Sequence, residues 1–250
     1  MNGRLNEQAI FEILTAVLLA GKLAPGLRLG EQHLADLFDV TRERVRKVLH
    51  RLGHQRLIEL HPNRGAFVAE PSLREARQVY DARRILETGV VFHLASTITQ
   101  TQLAAVSEVL KQERAAHDAH DHAEAVRLSG LFHIHLAEMT GNEFILRQMQ
   151  ELVSRTAMLV AYHEAESPRC SYDEHWAIFI AISERDAVRA SREMQLHLSL
   201  IETRLQEPPI RPATSDLDAI MAQEIERWRA TSEVRPATPS RMGRSRRAWG

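Results

Sequence analysis

Residues 21–69 most constrain the fold, because a turn, a short helix, a tight turn, a basic helix and a glycine-closed hairpin follow one another there. Leu34, Leu37 and Phe38 recur at the i, i+3, i+4 spacing of one helix face, with the small residue Ala35 among them. A small side chain permits a second helix to cross closely, so this segment is expected to support the basic helix that follows. The order of the elements predicts a winged helix-turn-helix, a DNA-binding fold.

The basic helix begins after Thr41, whose hydroxyl is suited to an N-cap. One face is an apolar stripe, and the other faces carry the cations: Val45, Val48, Leu49 and Leu52, against Arg42, Arg44, Arg46, Lys47 and Arg51. Arg42 and Arg46 lie one turn apart near the helix N-terminus, where recognition helices of this type meet bases and phosphates. The pattern predicts DNA contacts from Thr41, Arg42, Arg44 and Arg46.

Two short strands follow the basic helix, at residues 57–60 and 66–68, around a turn that exposes Arg64. This hairpin is the expected wing, with Arg64 facing DNA. The alternative is a solvated basic helix on some other fold, and it requires the hairpin and the turn residues to be coincidental.

Positive charge is confined to this part of the chain, since the whole sequence has a formal net charge of -1. Residues 41–64 carry seven Arg and Lys against two Asp and Glu, whereas residues 71–232 carry seventeen against twenty-four. The predicted DNA contact therefore lies at one end of the protein.

The length of 250 residues allows a head of about 70 residues and a larger second domain. Between Ser72 and Gln206 strand signals are almost absent, and the only helix-breaking residues are three glycines and Pro168. Amphipathic segments are predicted at 72–98, 100–118, 121–139, 142–164, 171–184 and 186–206. The fold class is thus mainly α: a winged helix-turn-helix over residues 1–70, then an all-α antiparallel bundle over residues 72–206.

The remaining residues, 207–250, open with two prolines and end in a Pro-, Ser- and Arg-rich stretch. A short helix is predicted from about Leu217 to Arg229, within a tail that is otherwise partly disordered. The arginines at its end add nonspecific attraction to phosphates or are simply solvated: Arg244, Arg246 and Arg247.

The compartment is predicted from three features. The single cysteine, Cys170, cannot form an internal disulfide and fits a reducing cytoplasm. Glu7 and Glu12 interrupt the apolar patch of residues 1–23, which lacks a signal-peptide cleavage site. No segment reaches the roughly 20 apolar residues that span a bilayer. We expect a cytoplasmic protein with no membrane partner.

The head matches a recognisable pattern at these positions: Pro25-Gly26, Leu29, Glu31, Leu34-Ala35, Val40-Thr41-Arg42, Val45-Arg46, Leu49, Leu52 and Arg64 to Val68. It resembles the GntR family of bacterial transcription regulators. The resemblance implies that Arg42, Arg46 and Gly65 at the wing tip touch DNA, and Gln32 stands where some relatives carry a contacting Arg. Arg44, Lys47 and Arg56 depart from the family pattern, and each adds positive charge.

The helical region shares further fixed positions: Arg83, Leu86-Glu87, Phe132-His133, Gly141-Asn142, Glu174-His175 and His197. It resembles the FCD branch of the same family, named for a ligand-binding C-terminal domain. In metal-containing members an Asp and three histidines surround a divalent ion. The resemblance implies His133, His175 and His197 as ligands of Zn, Ni, Co or Mn, with Ser129 in place of the Asp.

Three interpretations of the histidines stay open. They hold a metal together with water or effector, they bind an anionic effector directly through protonatable His and Arg, or they are ordinary hydrogen-bonded core residues. Arg83 matches the family position that commonly faces the ligand cavity, or it pairs with Glu87 on a solvated or dimer-facing stripe. Arg155 enters the bundle or stays at the surface. We expect effector contacts from Arg83, Ser129 and Arg155.

The resemblance implies a homodimer that places two heads on a pseudo-palindromic operator in double-stranded DNA. A small carboxylic acid in the helical domain would change operator affinity. Two alternative functions belong to other classes of protein. A helical interaction scaffold leaves the basic helix and wing unexplained. A metal-dependent enzyme built on the three histidines lacks a His-Glu-x-x-His pair, a nucleophile elbow and a phosphate loop, so no enzyme is expected.

Overall fold

The computed structural model describes residues 5–163, 171–206 and 216–232. Cys170 and the terminal arginines Arg244, Arg246 and Arg247 lie outside the described residues. Within the described part, no helix combines the length and apolarity that a bilayer crossing requires.

The head is built from three helices and a small sheet: α1 (Glu7–Leu19), β1 (Arg28–Leu29), α2 (Glu31–Phe38), α3 (Arg42–His54), β2 (Ile58–His61) and β3 (Gly65–Val68). The apolar stripes of the helices are buried together, with Leu14, Leu34 and Leu52 fully inaccessible. Asp39 ends α2 in the left-handed conformation, with φ of 51°, which makes the tight turn between the two helices. The winged helix-turn-helix prediction is confirmed.

The sheet has the strand order β1-β3-β2, and all its pairs are antiparallel. Ile58 faces Val68 and His61 faces Gly65, so the hairpin closes at the predicted turn. The sequence did not predict β1, because two residues are too few to show an alternating pattern.

The second part of the chain is a bundle of six helices: α4 (Leu73–Thr97), α5 (Gln100–Asp118), α6 (His122–Met139), α7 (Glu143–His163), α8 (Tyr172–Ser183) and α9 (Ala187–Arg204). Each matches a predicted segment to within a few residues. The boundaries follow local chemistry. Thr99 and Gln102 form a capping box at the start of α5, and the Asn142 side chain accepts from the backbone N–H groups of Phe144 and Ile145.

The last described helix, α10 (Leu217–Ser232), packs its apolar residues on the head, and it touches the bundle through an ion pair between Arg227 and Asp121. Met221 and Ile225 are 0% and 7% exposed within the head's core cluster. Lys22 forms an ion pair with Glu224, and the indole Nε1 of Trp228 donates to Glu12 at 3.2 Å. The sequence predicted a short helix here from about Leu217 to Arg229, but not that it packs on the head.

Helix α7 connects the bundle to the head. The hydroxyl of Tyr162 donates to the carbonyl oxygen of Leu23 at 2.6 Å. The ring of His163 lies between two carbonyl oxygens, with Nε2 at 2.7 Å from Pro71 and Nδ1 at 3.0 Å from Gln206. The end of α7 therefore holds the segment that joins the head to α4.

Candidate DNA interface and candidate metal centre

Helix α3 presents its cationic face outward. Val45, Val48, Leu49 and Leu52 are buried in the head, while the side chains of Arg42 and Arg46 are 58% and 49% exposed. Thr41 caps the helix, and its hydroxyl accepts from the backbone N–H of Arg44 at 3.4 Å. The predicted recognition surface is accessible, and its arginines are not masked inside the molecule.

Glu31, the first residue of α2, joins the two exposed arginines. Arg42 Nε donates to Oε2 at 2.7 Å, and Arg46 donates through Nε and Nη2 to Oε1 and Oε2, each at 3.0 Å. These hydrogen bonds, with that from Arg46 the largest contribution, lower the pKa of Glu31 to about 2. The carboxylate is therefore ionised under all ordinary conditions, and it fixes both guanidinium groups at the start of α3.

The other residues predicted to contact DNA differ in their exposure and in their hydrogen-bond partners. Gln32 is exposed and donates to Asp36 at 2.9 Å. Arg64 and Gly65 lie at the exposed wing tip, where Gly65 has φ of 101°, a conformation that L residues rarely adopt. Arg44 instead points towards α1 and donates through Nη1 to the carbonyl of Leu5 at 3.2 Å. The prediction of Arg44 as a DNA contact is therefore not supported by its position, which lies about half a turn from Arg42 around the helix.

Three buried histidines from three helices meet inside the bundle. His133 of α6, His175 of α8 and His197 of α9 are 3%, 0% and 1% exposed. The Nε2 atom of His197 lies 3.2 Å from the Nε2 atoms of both His175 and His133. All three offer a ligand atom within 4.8 Å of one another, which makes them a candidate metal-binding group among the described residues.

Each of these histidines faces a different carboxylate through its other ring nitrogen. His133 Nδ1 lies 2.5 Å from Glu87 Oε2, His175 Nδ1 lies 2.9 Å from Glu113 Oε2, and His197 Nδ1 lies 2.8 Å from Glu174 Oε2. A carboxylate in this place favours the tautomer that carries its proton on Nδ1. All three Nε2 lone pairs then point at one another.

The three lone pairs repel one another unless a cation lies between the nitrogens. The donor set therefore fits a divalent metal held by three neutral imidazoles. Burial lowers the pKa of His133 to about 4, although Glu87 acts in the opposite direction. Burial also lowers the pKa of His197 well below its ordinary value, with the neighbouring His175 adding to the effect. Neutral imidazole is the form that binds metals.

Arg83 lies beside the histidines and is 2% exposed. Its Nε donates to Glu87 at 2.6 Å and its Nη1 donates to the hydroxyl of Thr156 at 3.2 Å. Nη2 has no hydrogen-bond partner among the described residues. The pair with Glu87 that the sequence suggested is formed, but it is buried next to the histidines rather than on a surface stripe.

The structure holds Arg155 away from the cluster of histidines, whereas Ser129 lies next to it in the helix. Ser129 is half-buried one turn before His133. Arg155 is partly exposed and forms ion pairs with Glu75 and Glu151, on the side of α7 that faces the head. The prediction of Arg155 as an effector contact is therefore not supported by its place, because nearby carboxylates at the domain junction hold its guanidinium.

Sequence reasoning missed the three carboxylates behind the histidines. Glu87 was noticed as a shared family position and as a partner of Arg83, but not as a partner of His133. Glu174 is adjacent to His175 in sequence yet contacts His197. A signal for Glu113 was present, since it falls on the apolar stripe of α5 with Val106 and Leu110, and all three are buried. A charged residue on such a stripe requires a buried partner.

Comparison with known proteins agrees with this geometry. The family model described as bacterial regulatory proteins, gntR family, matches residues 6–68, and the FCD domain model matches residues 78–200. The chain belongs to the GntR family. It is a transcriptional regulator with an FCD domain, and the family and its relatives are regulators rather than enzymes.

Two curated relatives span most of this GntR regulator. The HTH-type transcriptional repressor RspR of Escherichia coli (strain K12) is 27% identical over 212 residues, which cover 84% of this chain and 92% of the relative. The HTH-type transcriptional regulator LutR of Bacillus subtilis (strain 168) is 25% identical over 205 residues, which cover 73% of this chain and 93% of the relative.

Solved structures share the fold. A GntR transcriptional regulator from Rhodococcus sp. RHA1 has a TM-score of 0.68 at 21% identity, covering 79% of this chain and 95% of that one. McbR/YncC of E. coli has a TM-score of 0.65 at 20% identity, covering 79% and 97%. Helix α10 lies outside both matched ranges of the family models.

Proposed function

We propose that this GntR regulator binds a pseudo-palindromic operator as a homodimer, and that a small carboxylic acid bound in the FCD domain modulates its operator affinity. A divalent metal held by His133, His175 and His197 would take part in binding that acid. The observation that carries the proposal is the convergence of the three Nε2 atoms, each imidazole being backed by its own carboxylate.

The DNA part of the proposal assigns the contacts to α3 and its surroundings. Arg42 and Arg46 would meet bases and phosphates, assisted by Thr41 at the helix start and by Gln32. Arg64 and Gly65 at the wing tip would meet the backbone. The support is that Glu31 holds both arginines on the exposed face, with N–H groups left over to donate to DNA.

The proposed effector site is supported by the groups that lie beside the three histidines. Three protein ligands leave coordination positions open on an ion such as Zn²⁺, Ni²⁺, Co²⁺ or Mn²⁺, and such an ion attracts a carboxylate. The buried Nη2 of Arg83, which lacks a described partner, supplies a fixed cationic donor for the same anion. Ser129 stands one turn before His133 and would add a hydroxyl at most.

The homodimer is supported by an apolar face that α4 and α9 share. Five large apolar side chains are strongly exposed there, at 46–80%: Ile85, Phe92, Val188, Leu196 and Leu200. Gly89 lies between Ile85 and Phe92, and a Cβ at that position would meet nothing within 4 Å. A patch of this kind marks an interaction site on a soluble protein, and a second copy would cover it.

We keep the division into a head at residues 1–70 and an FCD domain at residues 72–206 as part of this proposal. Within residues 207–250, the helix α10 would belong functionally to the head, on which it packs.

The test measures operator affinity with and without the metal and with and without candidate effectors. A duplex selected from a random pool by the wild-type protein would be titrated with metal-loaded and chelator-treated protein, each with and without a panel of small carboxylic acids. The proposal expects at least one acid to shift operator affinity by about 5–150-fold in the metal-loaded protein. A response of equal size after complete metal removal would instead support direct anion binding, and no response from either sample would contradict the effector proposal.

The dimer has its own test. Sedimentation of the wild-type protein should give a dimer, and Phe92→Asp with Leu196→Asp should shift it to a monomer that retains its helical content. A dimer that persists in the double variant would place the interface elsewhere.

A further inference from the structure

The exposed face of α3 forms one wall of a cleft, and the bundle helix α7 forms the other. The cleft has a volume of about 1050 Å³ and is open to solvent. On the head it is lined by α3 from Arg42 to His54, and on the bundle by Arg147, Gln150 and Glu151. The exposed face of the predicted recognition helix therefore lies opposite residues of the FCD domain.

The lining of this cleft carries five Arg and Lys residues against two Glu, and one of the five lies on α7. Helix α3 brings Arg42, Arg46, Lys47 and Arg51, and α7 brings Arg147 opposite them. The two acidic residues of the lining already have partners, since Glu43 lies 3.7 Å from Lys47 and Glu151 lies 3.7 Å from Arg56. Like charges that face each other raise the energy of the arrangement, and an anion between them lowers it.

Arg147 is well placed to bind such an anion. Its guanidinium lies 4.7 Å from the centroid of the Phe144 ring, and Phe144 is 75% exposed. No carboxylate among the described residues pairs with Arg147. An aromatic ring under a guanidinium restrains it while leaving its N–H groups free at the edge, where they can form two parallel bonds to a phosphate.

We propose that Arg147 is a DNA contact of the effector domain, and that it binds a backbone phosphate of the duplex whose groove holds α3. This inference rests on the proposed DNA binding by α3, and it adds a phosphate contact that lies outside the winged helix-turn-helix. DNA is favoured as the occupant because α3 forms the facing wall. The phosphate bound by Arg147 would then belong to the same duplex that α3 contacts.

The contact would couple the two functional sites through one rigid element. Thr156 lies on the same helix nine residues beyond Arg147, about 13 Å along its axis, and its hydroxyl accepts from the buried Arg83. A phosphate on Arg147 and a carboxylate on Arg83 would thus both act on the position of α7. Helix α7 is in this way the physical connection between operator and effector.

The experiment compares the full-length wild type with Arg147→Ala and Arg147→Lys on two fluorescein-labelled duplexes, one selected from a random pool and one of random sequence. Titrations at several salt concentrations give the affinity and the salt slope. Lys111→Ala on α5, which is 67% exposed, is the matched control for loss of one positive charge.

Arg147→Ala should weaken binding to both duplexes by about fivefold per contacted phosphate near 0.15 M salt, because each phosphate contact contributes about 0.9 to the salt slope. The slope should fall in magnitude accordingly, whereas Lys111→Ala should stay close to wild type. Arg147→Lys should keep the salt slope, because the charge is retained, but bind less tightly than wild type, because an ammonium group cannot form two parallel bonds to a phosphate. Unchanged or tighter binding by Arg147→Ala would overturn the inference, and tighter binding would mean that α7 covers α3 and excludes DNA.

Arg42→Ala separates this inference from the proposed function. If Arg42→Ala weakens binding and Arg147→Ala does not, only the contact from α7 fails. If neither Arg42→Ala nor Arg46→Ala changes binding, the assignment of α3 to DNA fails, and the proposal for Arg147 fails with it.

Discussion

The Nδ1 atom of His175 lies 2.9 Å from Oε2 of Glu113, and the two side chains are 0% and 3% exposed. A carboxylate in such a place orients the imidazole and raises its basicity as a ligand. It is far from water, so its negative charge has to be balanced inside the protein. The pair is thus the part of the buried site that a metal-holding role explains best.

Replacement of Glu113 should weaken metal binding. Glu113→Ala is expected to lower Zn²⁺ affinity by about 10–100-fold, as loss of an outer partner of a ligating histidine typically does. Glu113→Gln should lose less, because its amide oxygen still accepts from Nδ1–H. Competition against a chelating dye measures both, with the exposed Glu108→Ala on the same helix as control. Equal affinities in all four proteins would contradict the role of Glu113.

Glu31 is expected to determine specificity rather than total attraction for DNA. Glu31→Gln releases Arg42 and Arg46, so the ratio of selected to random duplex affinity should fall by at least about fivefold, the lower end for one bidentate base contact. Affinity for random DNA should stay level or rise, because one negative charge is gone. Glu43→Gln makes the same charge change on α3 and should keep the ratio. A parallel loss on both duplexes would indicate a purely structural role for Glu31.

The carboxyl group of Glu31 should titrate far below an ordinary glutamate. Its pKa is lowered to about 2 because Arg46 and Arg42 bind the ionised form. Its contribution to stability is therefore complete above the unfolded pKa near 4.5 and is lost as pH falls towards 2. A ¹³C-detected NMR titration of the side-chain carboxyl measures this, and a midpoint near the ordinary value would show that the ion pairs do not persist in solution.

Helix α10 should stabilise the head. Met221 is 0% exposed against the head core, so Met221→Ala is expected to cost about 2–5 kcal/mol of unfolding free energy, the usual range for such truncations. Gln223→Ala, at an exposed position of the same helix, should change little. Denaturant unfolding of both variants tests the packing, and equal stabilities would mean that α10 does not rest on the head in solution.

The elements of the fold were predictable because local chemistry determines them. The apolar stripe of α3, the caps at Thr41 and Thr99 and the left-handed turn at Gly141 place helices without knowledge of their partners. The three histidines were predictable through resemblance. Their contacts with Glu113 and Glu174 were not, because those pairs join residues 62 and 23 positions apart in sequence.

Two other features depended on packing between distant segments. Arg155 has the charge expected of an effector-binding residue, and only the position of Glu75 on the neighbouring helix α4 shows where that charge is balanced. The burial of Met221 depends in the same way on residues of the head, which lie about two hundred positions earlier in the sequence. The sequence of α10 alone therefore does not reveal it.

The most direct measurement of the central claim is the metal content of the untagged protein, purified without chelators, compared with that of His175→Ala. We expect about one divalent transition-metal ion per chain in the wild type and almost none in the variant, with both proteins folded. A folded wild type as free of metal as His175→Ala, even after incubation with Zn²⁺, Ni²⁺, Co²⁺ and Mn²⁺, would contradict the claim.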